Sequence, residues 1–193
     1  MLSSGEEKKL FPELAPRIRP FVLFLLHTGL RYREALNLPW ASVDLARRRV
    51  KVEKTKGKRA RFIPINSVLL DLLMKLRDTK KGANVFPFKS VRTGFENACK
   101  RAGIDDLTFH DLRRTFGTRL LERGVDIVTI SKLYGHSSVL VTQNYLHPSD
   151  ALSVEAVERL TENIEDAGIL SRRCHTDEIE GVEVQQASDL SVS

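Results

Sequence analysis

A chain of 193 residues, 41% hydrophobic and 29% charged, is long enough for one sizeable globular domain with a real core. It holds no run of 18 apolar residues and opens on no signal peptide. Its two cysteines, Cys99 and Cys174, fit neither a metal spacing nor a disulfide framework, so no membrane span or stapled secreted scaffold is expected and a reducing cytoplasm is the natural compartment. The overall charge of +6 hides an asymmetry: residues 1–149 carry 28 Lys+Arg against 14 Asp+Glu (+14), and residues 150–193 carry 3 against 11 (−8). The basic body suits a polyanionic partner, although basicity alone is more often a solvated surface.

In chain order, Ser4-Gly-Glu-Glu7 reads as a capping box opening a first helix, and Pro12 and Pro16 interrupt the next stretch. Arg17 to Leu30 predicts a strongly apolar, mostly buried helix. Gly29 sits at its end, so Arg31 emerges beside a helix terminus. On its residues alone Arg31 is either a site residue or a surface cation paired with Glu34. Leu36, Leu38 and Trp40 read as core. Residues 40–65 switch to alternation: Val50-Lys-Val-Glu and Arg61-Phe-Ile-Pro-Ile flank a turn containing Gly57, a β-hairpin signal, with a short strand at Ala41 to Val43 before it. The hairpin loop is dense in cations: Lys54, Lys56, Lys58, Arg59 and Arg61. Asn66 caps a helix whose leucines 69, 70, 72, 73 and 76 recur at core spacing. Val85-Phe-Pro-Phe88 is an apolar anchor. Ser90 caps a further helix ending near Ala102 and Gly103, and Cys99 within it reads as a small buried residue.

The stretch from Thr108 to His147 carries the chemistry. Thr108 and Asp111 form a second capping-box start, Gly124 ends that helix, and Asp126 caps another that stops near Gly135. His110 and Arg113 lie three apart, hence on one helical face. His136 falls in the turn after a helix C-terminus, and a short helix starting at Ser137 or Ser138 carries Tyr145 towards Pro148. A guanidinium pairs its hydrogen bonds with phosphate oxygens, imidazoles bind such oxygens or move protons near neutral pH, and a phenol can act as a covalent nucleophile. Two imidazoles, a guanidinium and a phenol together suit phosphoryl transfer through a phosphotyrosine. The two histidines have no third ligand at a suitable spacing nearby, so zinc is disfavoured.

His-Asp-Leu-Arg-Arg-Thr-Phe-Gly-Thr (110–118), Leu-Tyr-Gly-His-Ser-Ser (133–138) with Tyr145 nine residues after His136, and Thr-Gly-Leu-Arg-Tyr-Arg-Glu-Ala-Leu (28–36) resemble three boxes of the tyrosine recombinase (phage integrase) family. The resemblance runs from about Ser4 to Pro148. It implies a mainly α fold with a small antiparallel β-sheet (α+β), the catalytic domain of DNA breaking-rejoining enzymes, over 1–149.

The resemblance implies Arg31 and Arg113 as phosphate-binding arginines, and His110 as a phosphate-binding or proton-transfer residue. It makes His136 a donor to a nonbridging oxygen and Tyr145, in its Tyr-x-His-Pro context, the nucleophile. The family's Lys-x-x-x-x-Arg-x-x-Pro pattern, counted back from Pro64, gives Lys56 as general acid with Arg61, while Lys54 and Lys58 remain open because hairpin length varies. Lys54, Lys58, Arg59 and Arg61 are expected to touch the DNA backbone, and Glu34 to orient an arginine. Tyr134 stands where the family commonly has leucine and reads as packing, as does Tyr32, and Arg114, next to Arg113 and so pointing elsewhere on the helix, reads as structural.

The implied reaction is strand cleavage and rejoining through a 3′-phosphotyrosyl link, with no cofactor and no metal. The implied partner is double-stranded DNA bearing a specific site, bound by a homotetramer that is monomeric when free. Residues 150–170 are expected to form a C-terminal helix, exchanged between subunits or folded back, and 171–193 an acidic, disordered tail. The family's N-terminal DNA-clamping domain is expected to be missing from this sequence. Two alternatives stay open: a relaxing enzyme like the type IB topoisomerases, and a DNA-binding module without turnover.

Overall fold

The structure, a computed structural model, describes residues 1–53, 60–79, 82–136 and 138–143. The chain divides into units at 1–152 and 153–193, and the described residues all belong to the first. As expected from the sequence, it is mainly helical with one small antiparallel sheet.

Helix α1 spans Ser4–Glu13, but its cap is Ser3, one residue earlier than the Ser4 box predicted. The Ser3 hydroxyl accepts the Glu6 amide, and the Glu6 carboxylate accepts the Ser3 amide at 2.8 Å. Glu7, the other candidate, is drawn away by an ion pair with Arg119. Helix α2 spans Arg19–Thr28, shorter than predicted at both ends. Ile18 precedes it with no side-chain cap, and Gly29 ends it in the left-handed conformation (φ 60°). Five of its apolar side chains are buried, and Phe21 meets Tyr32, Phe86, Phe88 and Phe109 edge-on or steeply tilted. Helix α3, Tyr32–Leu36, comes next with Arg31 as its N-cap.

After a 3-10 turn at Trp40–Ser42 come strands β1 (Val43–Asp44), β2 (Arg49–Val52) and β3 (Arg61–Pro64). They form an antiparallel sheet in sequence order, with Val50 opposite Ile63 and Val52 opposite Arg61. The expected strand at 41–43 is thus displaced to 43–44, because the 3-10 turn takes up Trp40, Ala41 and Ser42. Val50, Val52 and Ile63 face the core.

Helix α4 (Ser67–Asp78) is capped by Asn66, whose Oδ1 accepts the Leu69 amide at 2.9 Å. Of its leucines, 69 and 73 are fully buried and 70, 72 and 76 pack at the margin. Helix α5 (Arg92–Arg101) begins after Val91, not Ser90, whose hydroxyl is shared with the Tyr32 phenol at 3.2 Å. Cys99 is buried there, and burial pushes its thiol up to about 11, so the thiolate is scarce.

Helices α6 (Phe109–Leu121) and α7 (Ile127–Tyr134) start on the predicted caps, Thr108 and Asp126. Between them the Val125 amide reaches back to the Leu120 carbonyl across Gly124 (φ 77°), the 6→1 bond of a Schellman turn. Helix α8 (Val139–Gln143) closes the described chain. The main core lies between α2, α4, α5, α6 and the sheet, and a satellite cluster of Phe116, Ile130 and Tyr134 joins α6 to α7. No described helix is long and apolar enough to cross a membrane.

Candidate active site

Arg113 is the centre. It lies one turn into α6, and its side chain is only 2% exposed. The left-handed cap at Gly29 turns the Gly29 carbonyl towards it, and Arg113 Nη1 donates there at 2.6 Å. Arg113 Nη2 donates to the Tyr134 carbonyl at 2.9 Å and lies 3.2 Å from His136 Nε2. The guanidinium sits over the Tyr134 ring, 4.1 Å from its centroid. Among the described residues no carboxylate lies within ion-pair distance of Arg113. Burial first, and then the charge of Arg31, bring its pKa down to about 10. It still carries its charge at neutral pH, in a pocket that turns two backbone carbonyl dipoles towards it.

His136 follows the left-handed cap Gly135, which ends α7 and throws the imidazole back over α6. A guanidinium has only donors, so Nε2 facing Arg113 is the acceptor, and the ring proton belongs on Nδ1. Nδ1 lies 2.9 Å from the Thr142 hydroxyl, which takes that proton as acceptor. Thr142 is fully buried on α8 (0% exposed), and sequence reasoning passed it over. Its signal was there: a lone hydroxyl within Val139-Leu-Val-Thr, six residues after His136. In this arrangement His136 Nε2 accepts, whereas the sequence cast His136 as a phosphate donor. Donation from Nε2 requires a second ring proton.

His110 stands at the mouth, exposed, one helical turn before Arg113. Partial burial and then the Arg113 charge hold its pKa below the usual histidine value, against the pull of Asp111. Arg31 is half exposed at the start of α3, and it lowers the pKa of both His110 and Arg113. The structure thus gathers Arg31, His110, Arg113 and His136 from three separate stretches of chain. Arg114 points away and pairs loosely with Asp111 at 3.9 Å.

Glu34 serves two arginines. Its carboxylate accepts from the Arg31 amide at 2.9 Å and from Arg31 Nη1 at 3.1 Å. It also takes the Arg61 guanidinium on both oxygens, at 3.2 and 2.7 Å. Burial alone would raise the Glu34 pKa, but the Arg61 hydrogen bond, the Arg31 amide and both charges outweigh it, and the net direction is down. Arg61 was expected at the DNA backbone. The structure corrects this: Arg61 is 8% exposed, locked to Glu34, and its Nε donates to the Leu133 carbonyl at 3.0 Å. Strand phase explains it, since Arg61 shares the inward face with Ile63 while Phe62 faces out.

Lys54, Lys56, Lys58, Arg59 and Tyr145 lie outside the described residues, as do 150–170 and the acidic tail. An open cleft of about 800 Å³ lies between Arg31, Glu34, Lys51, Glu53 and Gly135, beside the end of β2. Among the described residues no three His, Cys, Asp or Glu side chains gather as a metal site.

Residues 2–151 match the phage integrase family. The tyrosine recombinase XerA of Pyrococcus furiosus is 34% identical over 181 residues, covering 84% of this chain and 63% of the relative. The crystal structure of a XerA recombinase superposes with a TM-score of 0.68 at 30% identity, covering 82% of this chain and 64% of that one. The catalytic domain of bacteriophage HP1 integrase does so at 0.63 and 28%, over 75% of this chain and 85% of that one. The chain spans about half the length of the curated relatives it matches. With the family match spanning most of its length, the chain belongs to the phage integrase family of tyrosine recombinases.

Proposed function

We propose that this domain cleaves and rejoins DNA at a specific site through a tyrosine–phosphate link. The observation that carries the reading is Arg113: a buried guanidinium with carbonyls around it and no described carboxylate in ion-pair range is an anion site. Keeping a charge out of water is costly unless a counter-ion arrives, and a phosphate diester bridging Arg113 and Arg31 supplies one. His110 borders the same space, its pKa held below the usual histidine value by partial burial and the Arg113 charge, and suits a hydrogen bond to the phosphate or the transfer of a proton.

In this reading Tyr145 gives its phenolic proton to the His110 imidazole and attacks the phosphorus in line; the tyrosyl oxygen–phosphorus bond forms as the bond from phosphorus to the 5′-oxygen breaks, and the 5′-oxygen leaves with a proton from Lys56. Reversal by a 5′-hydroxyl of the partner strand restores a diester, so the bond energy is conserved. Arg31, Arg113 and His110 stabilise the charge on the nonbridging oxygens, as does His136 once its Nε2 carries a second ring proton, each such donor being worth about 3 kcal/mol of barrier. Double-stranded DNA is the proposed substrate, bound by four copies acting in pairs, and the +14 charge of 1–149 suits it.

The test is a pool of nicked duplexes with randomised arms, incubated with the protein and resolved on a denaturing gel. A covalent protein–DNA band that enriches one sequence, and that Tyr145→Phe abolishes, is the expected result. DNA bound in a salt-sensitive manner with no covalent band at any enriched sequence would replace the catalytic reading with that of a binding module.

A further inference from the structure

We propose that Tyr134 is a positioning residue for Arg113, fixing the plane in which the guanidinium meets the phosphate; this rests on the reading of Arg113 as a phosphate ligand. Three contacts run between the two residues. The guanidinium lies 4.1 Å from the Tyr134 ring centroid. The Tyr134 carbonyl accepts Nη2, and the Tyr134 hydroxyl donates to the Arg113 backbone carbonyl at 2.5 Å. The side chain of each residue therefore reaches the backbone of the other, and the ring fills the space between. Tyr134 is fully buried, so the geometry is not averaged by solvent.

Packing alone does not require this arrangement. A leucine at 134 would keep an apolar side chain in the cluster with Phe116 and Ile130, but offers neither a π face nor a hydroxyl. A ring face also compensates part of the desolvation of a buried cation, a service that an aliphatic side chain cannot give. Burial holds the phenol up to about 12, so it stays a donor to the Arg113 carbonyl across the working pH range. Nη1 is engaged by Gly29, and Nη2 by Tyr134 and His136; these contacts do not involve Arg113 Nε–H. A guanidinium held over the ring and by these hydrogen bonds presents that edge in one direction. One free to rotate presents it in many, and preorganised donors lose their value when they must reorient.

The experiment is side-chain NMR of the arginines in the full chain, with inorganic phosphate as probe at pH 7. Slow rotation about Cζ–Nη gives resolved Nη–H resonances, a readout that a purely volume-filling role does not move. In wild type, Arg113 is expected to show resolved Nη–H signals that shift on titration with phosphate. Tyr134→Phe keeps the ring and is expected to retain both. Tyr134→Leu is expected to collapse the Nη–H signals and weaken phosphate binding about tenfold, the scale of a desolvated cation–π contact. Tyr134→Met serves as a second ring-free variant if the leucine protein fails to fold.

Resolved Nη–H signals and unchanged phosphate affinity in a folded ring-free variant would overturn the proposal. Wild-type Arg113 signals that ignore phosphate would overturn the phosphate-ligand reading and the purpose assigned to Tyr134. The Nη–H comparison would still decide whether the ring fixes the guanidinium.

Discussion

Replacing Gly29 with alanine tests the cradle from its other side. A Cβ built on Gly29 would lie 2.3 Å from Cδ1 and 2.8 Å from Cε1 of Phe116, inside any real contact distance. The residue also sits at φ 60°, where an alanine costs about 1–2 kcal/mol. Displacing the Phe116 ring, which packs against Tyr134, adds an overpacking cost of about 1–3 kcal/mol. The sum is about 2–5 kcal/mol, which for a chain of this size lowers the melting temperature by roughly 4–20 °C.

Gly103 provides an internal control. It has nearly the same φ, 66°, but nothing within 4 Å of its built Cβ. Gly103→Ala therefore carries only the backbone part, about 1–2 kcal/mol. Urea unfolding of both variants, and of Gly29→Ala in a Phe116→Ala background, separates the parts. Phe116→Ala is expected to remove most of the excess cost of Gly29→Ala over Gly103→Ala. If the two glycine variants unfold at the same urea concentration, the close approach of the Phe116 ring contributes nothing to stability.

Two further outcomes concern charge. Glu34→Gln leaves the buried Arg61 guanidinium without its counter-ion and is expected to cost about 2–3 kcal/mol at neutral pH by chemical denaturation. Because the folded Glu34 pKa lies below its ordinary 4.5, the wild-type advantage is full above 4.5 and fades as pH falls through the folded value, so the two stability curves converge in acid; parallel curves would refute the pairing. Burial holds His27 below its ordinary 6.5, despite Glu7, and its neutral Nδ1 takes a hydrogen bond from Asn66 Nδ2 at 3.0 Å. Here the unfolded chain binds the extra proton first, so His27 costs stability as pH drops below 6.5, and His27→Gln should flatten that part of the stability profile; an unchanged slope would rule the residue out.

Much of the scaffold was legible because its signals are local. Thr108, Asp126 and Asn66 cap their helices as their positions suggested, and Gly29 and Gly135 take the left-handed turns that end α2 and α7. Ser3 displaced Ser4 because two equivalent boxes overlap, and only the distant Arg119 settles which glutamate stays. Arg61 was misplaced by reading cation density over 54–61 in place of strand phase; Arg61, Ile63 and Ile65 alternate inward, and the alternation was in the sequence. The contacts of Arg113 were not readable. They join it to Gly29 across 84 residues and to Tyr134 across 21, and no local period encodes a pairing over such distances. Nor does the sequence say which nitrogen of His136 carries the proton; that depends on Thr142 closing in from α8.

The wide spacing of those contacts has a consequence for the birth of the protein. The cradle draws on residues 29, 113, 134 and 136, so on the ribosome most of the domain emerges before the last of its walls exists. Contacts between distant parts of a chain also close late, since the loop entropy is spent before they form. A nascent or half-folded copy therefore carries the basic residues of the domain while its arginine is not yet seated, and the anion site arrives in one step, with the completed fold.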